Sequence, residues 1–475
     1  MSPYELEQEF AELLAGSTPE IPSKAEFIAA EHLVDLVGVA LAAVDEPAFH
    51  SLLRVYPPSA AGDGSARAWG TGINLARRDA ALVNGFAGHF HDFDDDETEL
   101  AMAHVTVTAL TAALTAADSR PGTSGRQLLR AYILGFEAAT CLGRLINPLH
   151  YKSGWHASAT LGVFAAAAAS GHILGLTPNA MRHALGMAAS FAGGLRSNFG
   201  SDTKPLQVGH AVAQGVLASE LAAEGLTSTP GSLLGPKGYV SFYGDGADAS
   251  AVLAAFGAPF DLIGSGLTIK AFPCCTAAHT AVDGLLSLQA EQGFKAAEIE
   301  HIVCWVDPAV PNILVYDRPT TGTEAKFSLP FCLAAAAVFG RLNVTEFSDE
   351  TVVHPDVWAL MDRIAVQTDP GLPKGDSGIS VSSRLSVTLR DGTRMERFTE
   401  CVPGSSSRRL DRTRLFKKFQ ACTINVLGSG QTKAAFDALL KIAEVEDCRN
   451  LLDLICGQPA IHRIEQEQSV RARAK

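Results

Sequence analysis

The chain has 475 residues. At ~150 residues per domain that is room for roughly two to four domains, or for one large domain carrying an insertion. Hydrophobic residues make up 47% and charged residues 19%, which excludes a disordered or collagen-like chain. The net charge of −13, from 38 Lys+Arg against 51 Asp+Glu, excludes a nucleic-acid-binding face spread over the whole molecule. Phosphate neutralisation needs clustered cations, yet a local cationic pocket for a small anion remains open.

The mean hydropathy of +0.14 invites a membrane reading, but the windows do not support one. The most apolar stretch, Leu161–Leu174, is Ala-rich and carries Ser170, Gly171 and His172. It falls short of the ~18–20 large apolar residues of a span. The opening MSPYELEQEF shows neither a basic region nor an apolar core, and Arg473-Ala474-Lys475 is not a common retention tripeptide. The expectation is a cytoplasmic protein with no membrane partner, mitochondrial import being the alternative in a eukaryote. Nine cysteines, seven scattered and Cys274-Cys275 adjacent, without a C-x-x-C argue against zinc ribbons and iron–sulfur clusters, and the odd count suits a reducing compartment.

The first ~260 residues read as helix after helix. Ala25–Ala43 places Phe27, Ile28, Leu33, Val34, Val37 and Leu41 at helical spacing. Thr177-Pro178 is an N-cap followed by proline at the first helical position, ahead of a stripe of Met181, Ala184, Leu185 and Ala188. Gly209–Glu224 is an Ala/Val-rich helix closed by Gly225. From Gly264 the character changes. Glu300–Val306 is a β-branched run, and Leu385, Val387 and Leu389 alternate with Ser and Thr. Asp391-Gly392 is a hairpin turn, and Met395–Phe398 the returning strand. Helices are expected over Ala277–Gln289 and Phe327–Phe339, then Asp411–Gln420 and Thr432–Ala443. The fold class is therefore mainly α with an α+β insertion: residues 1–263 and 403–475 form a helical domain, and 264–402 a smaller α+β lid.

Chemistry is concentrated in a few segments. The run His89-Phe90-His91-Asp92-Phe93-Asp94-Asp95-Asp96-Glu97, followed by His104, is too rich in carboxylates for all to be buried and ionised without cost. It reads as a solvated acidic loop, a hard-metal site or a catalytic base region. Asn84-Gly85-Phe86 and the interleaved phenylalanines favour a site. Gly154-Trp155-His156 precedes a helix, where a lone histidine is structural on general grounds. Lys204, ahead of Pro205 in a loop of small residues, is placed to enter a cleft, the alternative being a solvated lysine. Lys270-Ala271-Phe272-Pro273-Cys274-Cys275 leads to His279; the thiols are either reactive or simply packed. Tyr316-Asp317-Arg318-Pro319 precedes Glu324-Ala325-Lys326-Phe327-Ser328. No Walker, G-x-S-x-G or H-E-x-x-H motif occurs, and Gly70-Thr71-Gly72 lacks a preceding strand.

Taken in order, these segments resemble the MmgE/PrpD family of 2-methylcitrate dehydratases, cis-aconitate decarboxylases and iminodisuccinate epimerases. Asn84-Gly85-Phe86 with Asp92-Phe93-Asp94-Asp95 resembles its NGF…DFDDT block, and Gly154-Trp155-His156 its G-[FW]-H. Thr203-Lys204-Pro205-Leu206 resembles its TKPLH loop, and Lys270…Cys275…His279 its K-x-[YF]-P-C-C…H. Tyr316-Asp317-Arg318-Pro319 and Glu324–Ser328 resemble its Y-x-R-P and EAKFS segments.

The resemblance implies a large helical domain from both chain ends plus an α+β lid, in a homodimer, with the active site between the domains. It implies Asp92, His104, His156, Lys204, Lys270 and Tyr316 as catalytic residues, with Gln207, Cys275, His279 and Arg318 binding substrate. It implies no metal and no cofactor. The expected reaction is dehydration of a 2-methylcitrate-like tricarboxylate, by proton abstraction α to a carboxylate. The alternatives are decarboxylation or epimerisation on the same scaffold, or a non-catalytic paralogue that binds a carboxylate. The residue types suit a di- or tricarboxylate: lysines neutralise carboxylates and histidines move protons near neutrality. The sequence departs from the family in the longer Asp95–Thr98 run, in Val105-Thr106 where Pro-Ser is usual, in Gln207 for His, in His210, and in Thr276-Ala277-Ala278. All surround the expected substrate.

Overall fold

The computed structural model describes residues 1–17, 19–62, 64–244 and 246–456. The expected helical domain beyond residue 456 lies outside the described residues. The fold is mostly helical with a small mixed sheet.

The principal helices of the N-terminal half are α1 (Ser23–Ala42), α2 (Arg77–Phe90), α3 (Val105–Asp118), α4 (Gly125–Ile146), α5 (Gly162–Leu174), α6 (Pro178–Phe191) and α7 (Thr203–Ala223). Small residues let their backbones approach closely. A Cβ at Gly209 of α7 would lie 2.3 Å from the Leu82 carbonyl oxygen on α2, so only glycine fits there. On the other side of α7, α5 contributes Ala165–Ala169, every one fully buried. This packing explains the apolar composition. Among the described residues one helical stretch, Ala157–Leu174, is long and apolar enough to cross a membrane, but 89% of it is buried inside the fold, as in a core helix.

The second half supplies α8 (His279–Gln292), β1 (Ile299–Val306), α9 (Leu329–Phe339), β2 (Ile364–Thr368), β3 (Ser383–Leu389), β4 (Arg394–Thr399) and the long α10 (Arg412–Leu440). The sheet order is β2-β1-β3-β4. β1 pairs parallel with β2 and antiparallel with β3, and β3 with β4 forms the hairpin expected at Asp391-Gly392. The Asp391 carboxylate accepts from the Thr393 N–H at 2.8 Å. Ile302, Cys304 and Val306 of β1 and Leu385 and Val387 of β3 are buried under α8 and α9. One apolar core runs from Leu6 to Ile269 and resumes from Leu415 to Cys456; a separate one runs from Cys274 to Val387.

Three elements differ from the sequence expectation. α7 begins at Thr203, so Lys204 lies in a first helical turn rather than a loop; Pro205 is tolerated there because early N–H groups have no intrahelical acceptor. α10, by contrast, is two helices meeting at a kink at Gly428, whose φ of 74° and ψ of 165° are not helical, in keeping with the two helices expected there. β2 and a hairpin of Ser65–Ala68 with Ile73–Ala76 carry too short an apolar pattern to be read from sequence.

Candidate active site

The acidic run follows the C-terminus of α2 and is buried, not solvated. Asp92, Asp94, Asp95 and Glu97 are each at most 3% exposed, and each has different partners. Asp92 accepts from Lys204 at 2.5 Å and Lys270 at 3.0 Å. Asp94 accepts from His89 Nδ1 at 2.9 Å and lies 3.1 Å from His104 Nδ1. Asp95 pairs with His32. Asp96 accepts from the Thr276 hydroxyl at 2.8 Å. Glu97 accepts backbone N–H bonds from Glu99, Leu100, Ala101 and Gly266. Asp96 and Glu97 also pair with Thr268 and Leu267, which ties the loop to the chain entering the second core. Asp92 and Met102 have φ of 52° and 50°, in the left-handed region that non-glycine residues rarely occupy. Both line the cleft, and strained backbone of this kind collects at functional sites.

Partner charges decide the ionisation of this cluster. Burial alone would raise Asp92, but Lys204 and Lys270 outweigh it and hold the carboxyl far below its usual range. The same contest holds Asp94 low, with His104 and His89 opposing burial. Glu97 has only backbone donors, so burial prevails and raises it to about 7. Lys270, fully buried, is pushed above its ordinary value because Asp92 outweighs desolvation.

The histidines divide into opposite states. His104 caps α3, and its two ring nitrogens face carboxylates: Nδ1 towards Asp94, and Nε2 3.7 Å from Asp92 and 3.8 Å from Asp96. Burial opposes its protonation, but Asp94 and then Asp96 raise its pKa. His156 caps the short helix Ala157–Thr160. Its Nδ1 donates to Gln207 Oε1 at 2.7 Å, and Gln207 Nε2 donates to the Leu195 carbonyl, which fixes the amide's orientation. Nε2 is therefore the unprotonated nitrogen, and it is buried without a partner. Burial, reinforced by Lys204 and His89, depresses this imidazole well below its ordinary value.

His89, which sequence reasoning did not single out as a site residue, sits between these two. Its ring centroid is 4.5 Å from that of His104 and 5.8 Å from that of His156. Nδ1 donates to Asp94, and Nε2 accepts from Lys204 Nζ at 2.7 Å. Burial lowers its pKa to about 4. His89, Asp92 and His104 offer ligand atoms within 4.8 Å of one another, the spacing of a metal site. The Lys204 ammonium already lies against two of those residues, so a lysine is where a metal ion would have to be.

The cleft encloses about 770 Å³, counting the part open to solvent. Asp92, Asp96, His104, His156, Lys204 and Cys275 line it, with Met102, Tyr151, Phe199, Val310, Ile313 and Phe327 among its apolar walls. α3, α7 and the helix at His156 all begin here, so their positive dipole ends face one region. The other expected site residues are placed differently. Lys270 reaches Asp92 from behind, through its carboxylate and its backbone oxygen, and is not among the lining residues. Gln207 holds His156. His279 is buried in the second core, bonded to the Cys274 carbonyl. Arg318 is on the surface, paired with Asp362 and lying over the Trp358 ring. Tyr316 lies in an adjoining outer chamber, donating to the Phe199 carbonyl at 2.9 Å. Gly200 permits that approach: a Cβ there would lie 2.5 Å from the Tyr316 hydroxyl. The Cys275 thiol is pushed up to about 12, by burial and then by Asp92, so it is not an activated nucleophile.

Fold and site together bring buried carboxylates, histidines and a lysine to the wall of one cleft. The MmgE/PrpD N-terminal domain matches residues 8–252 and the MmgE/PrpD C-terminal domain matches residues 272–442; the chain belongs to the MmgE/PrpD family. It is 27% identical over 440 residues to a cis-aconitate decarboxylase of Mus musculus, covering 90% of this chain and 88% of that one. To a cis-aconitate decarboxylase of Aspergillus terreus it is 26% identical over 416 residues, covering 82% and 84%. To a 2-methylcitrate dehydratase of Salmonella typhimurium it is 25% identical over 456 residues, covering 90% and 92%. The family supports a lyase-type enzyme.

Proposed function

We propose that the protein is a cofactor-independent lyase that dehydrates a small 2-methylcitrate-like tricarboxylate. The observation that carries this reading is the pair of histidines with opposite surroundings in one cleft, one with a free ring nitrogen and one facing carboxylates. His156 presents a free Nε2, and His104 faces Asp94, Asp92 and Asp96, which favour its protonated form. In the proposed step His156 Nε2 takes the proton from the carbon α to a carboxylate. Negative charge develops on that carboxylate as an enediolate, beside Lys204. The electron pair forms the double bond as the carbon–oxygen bond breaks, and His104 Nε2 protonates the departing hydroxyl, which leaves as water. Asp92 and His89 hold Lys204, Lys270 holds Asp92, and Tyr316 lies in the outer chamber beyond Phe199.

Decarboxylation of a cis-aconitate-like acid is the second reading, favoured by the apolar walls at Phe199, Phe327, Val310 and Ile313, which penalise a carboxylate and not carbon dioxide. There Lys204 stabilises the carbanion and His104 protonates it. Incubation with methylcitrate, cis-aconitate and iminodisuccinate, followed by NMR, separates the readings. Loss of water from methylcitrate is expected; a vinylic product with carbon dioxide replaces the first reading by the second. No turnover of any of them, or full activity of His156→Gln, refutes the site. The homodimer is part of the proposal and is checked by sedimentation.

A further inference from the structure

The cleft has two chambers of unlike charge. The inner one is lined by Asp92 and Asp96 against Lys204 and His104, so its formal charges cancel when His104 is protonated. Lys204 is already engaged by Asp92 and His89. A tricarboxylate cannot place three negative charges there without repulsion from Asp96. The outer chamber shares Tyr151, Phe199, Ile313 and Ile379 with the inner one, so the two are contiguous. Its lining includes Lys152 and Arg196, the donors Ser197, Asn312 and Tyr316, and, among the described residues, no acidic residue. Arg196 is held in place: its guanidinium lies 4.1 Å over the Tyr151 ring and donates to the Tyr151 and Asn312 carbonyls at 3.0 and 2.9 Å. Its Nε is buried with no partner among the described residues.

We infer that the outer chamber is a carboxylate subsite, in which Arg196 and Lys152 take the distal carboxylate of a substrate whose reacting end lies between His104 and His156. The site then sorts acids by the number and reach of their carboxylates. The walls shared by the chambers contact the carbon chain between the two ends. This rests on the carboxylate reading above, and the test separates the two. Tricarballylate, a saturated tricarboxylate with no hydroxyl to lose, and butyrate, which has a single carboxylate, are titrated by calorimetry into the full chain. The variants are Lys152→Glu, at an exposed position that does not threaten folding, and Arg196→Lys. The wild type is expected to bind tricarballylate more tightly than butyrate. Lys152→Glu is expected to weaken tricarballylate about tenfold and leave butyrate unchanged, with Arg196→Lys acting in the same direction. Equal binding of tricarballylate by wild type and Lys152→Glu overturns the subsite alone. An equal loss for both acids also overturns it, because the residues then shape the cleft rather than hold a charge. A wild type that binds neither acid overturns the carboxylate reading itself.

Discussion

Asp92 is the anion shared by two buried ammonium groups, and its replacement is the sharpest test of the site's electrostatics. At 2.5 Å from Lys204 and 3.0 Å from Lys270, the direct attractions are ~7 and ~6 kcal/mol at an effective dielectric of ~20. Most of this offsets the cost of taking three charges out of water, so the net figure is smaller; breaking a buried pair by removing one partner costs ~3–5 kcal/mol. Asp92→Asn leaves two buried cations without their counterion and is expected to fall at the upper end of that range or beyond it. Asparagine tolerates the left-handed backbone at this position, so backbone strain does not confound the change. Lys270→Met leaves Asp92 paired with Lys204 and is expected to cost less, ~1–3 kcal/mol for the acceptors left unmet. The double variant should be more stable than Asp92→Asn alone, because one uncompensated charge is gone. Urea midpoints with slopes checked for constancy give the ordering. Without the Asp92 charge, burial disfavours the charged form of Lys270, so the unfolded chain should bind more protons and the deficit should shrink as pH rises towards ~10.4. A double variant no more stable than Asp92→Asn would refute the reasoning.

The remaining predictions follow the same electrostatics. His89, at about 4, and His156, well below its ordinary value, stay neutral when folded and gain protons when unfolded, chiefly because of burial. Their contribution is present above ~6.5 and lost as pH falls, by at most ~1.4 kcal/mol per pH unit per histidine, and urea midpoints between pH 7 and 4 measure it. Asp94→Asn removes the carboxylate that favours protonated His104; turnover should fall ~10²-fold or more, and the alkaline limb of the rate profile should move to lower pH. Gln207→Leu frees the His156 tautomer and should lower kcat more than it raises KM, with circular dichroism unchanged. Activity should survive dialysis against EDTA, since the Lys204 ammonium lies where a metal ion would sit.

Elements with a strong local pattern were legible in the sequence. The Asp391-Gly392 hairpin and the cap at Thr177 depend on a few adjacent residues. The meeting of Asp92, His104, His156 and Lys204 was legible only through the order of motifs, because their segments are remote in sequence. His89 had no motif of its own, and its role depends on helix register. Gly85 of α2 touches Gly209 of α7, and the helices run antiparallel. One turn onward along α2 is His89, and about one turn back along α7 is Lys204. The small residues at 85 and 209 were visible; their pairing was not. The different placements of Tyr316 and Arg318 were not legible for a related reason. They are close in sequence, yet Tyr316 reaches Phe199 while Arg318 turns to Asp362, and nothing local distinguishes the two directions.

The net charge of −13 is a poor guide to the field inside the cleft. The most acidic segment of the chain borders the site, yet little of its charge is unbalanced there. Asp92 is matched by two lysines, and Asp94 lies between two histidines. Asp95 pairs with His32, and Glu97 is held near 7 by burial. That leaves Asp96, which lines the cleft with a hydroxyl donor and a distant His104 as its company. The acidic run, whose extra length set this sequence apart from its family's pattern, thus leaves one carboxylate without a close counterion rather than five. An acidic protein can then admit an anion, because the buried acids are neutralised by their own partners and the cations at the entrance are not.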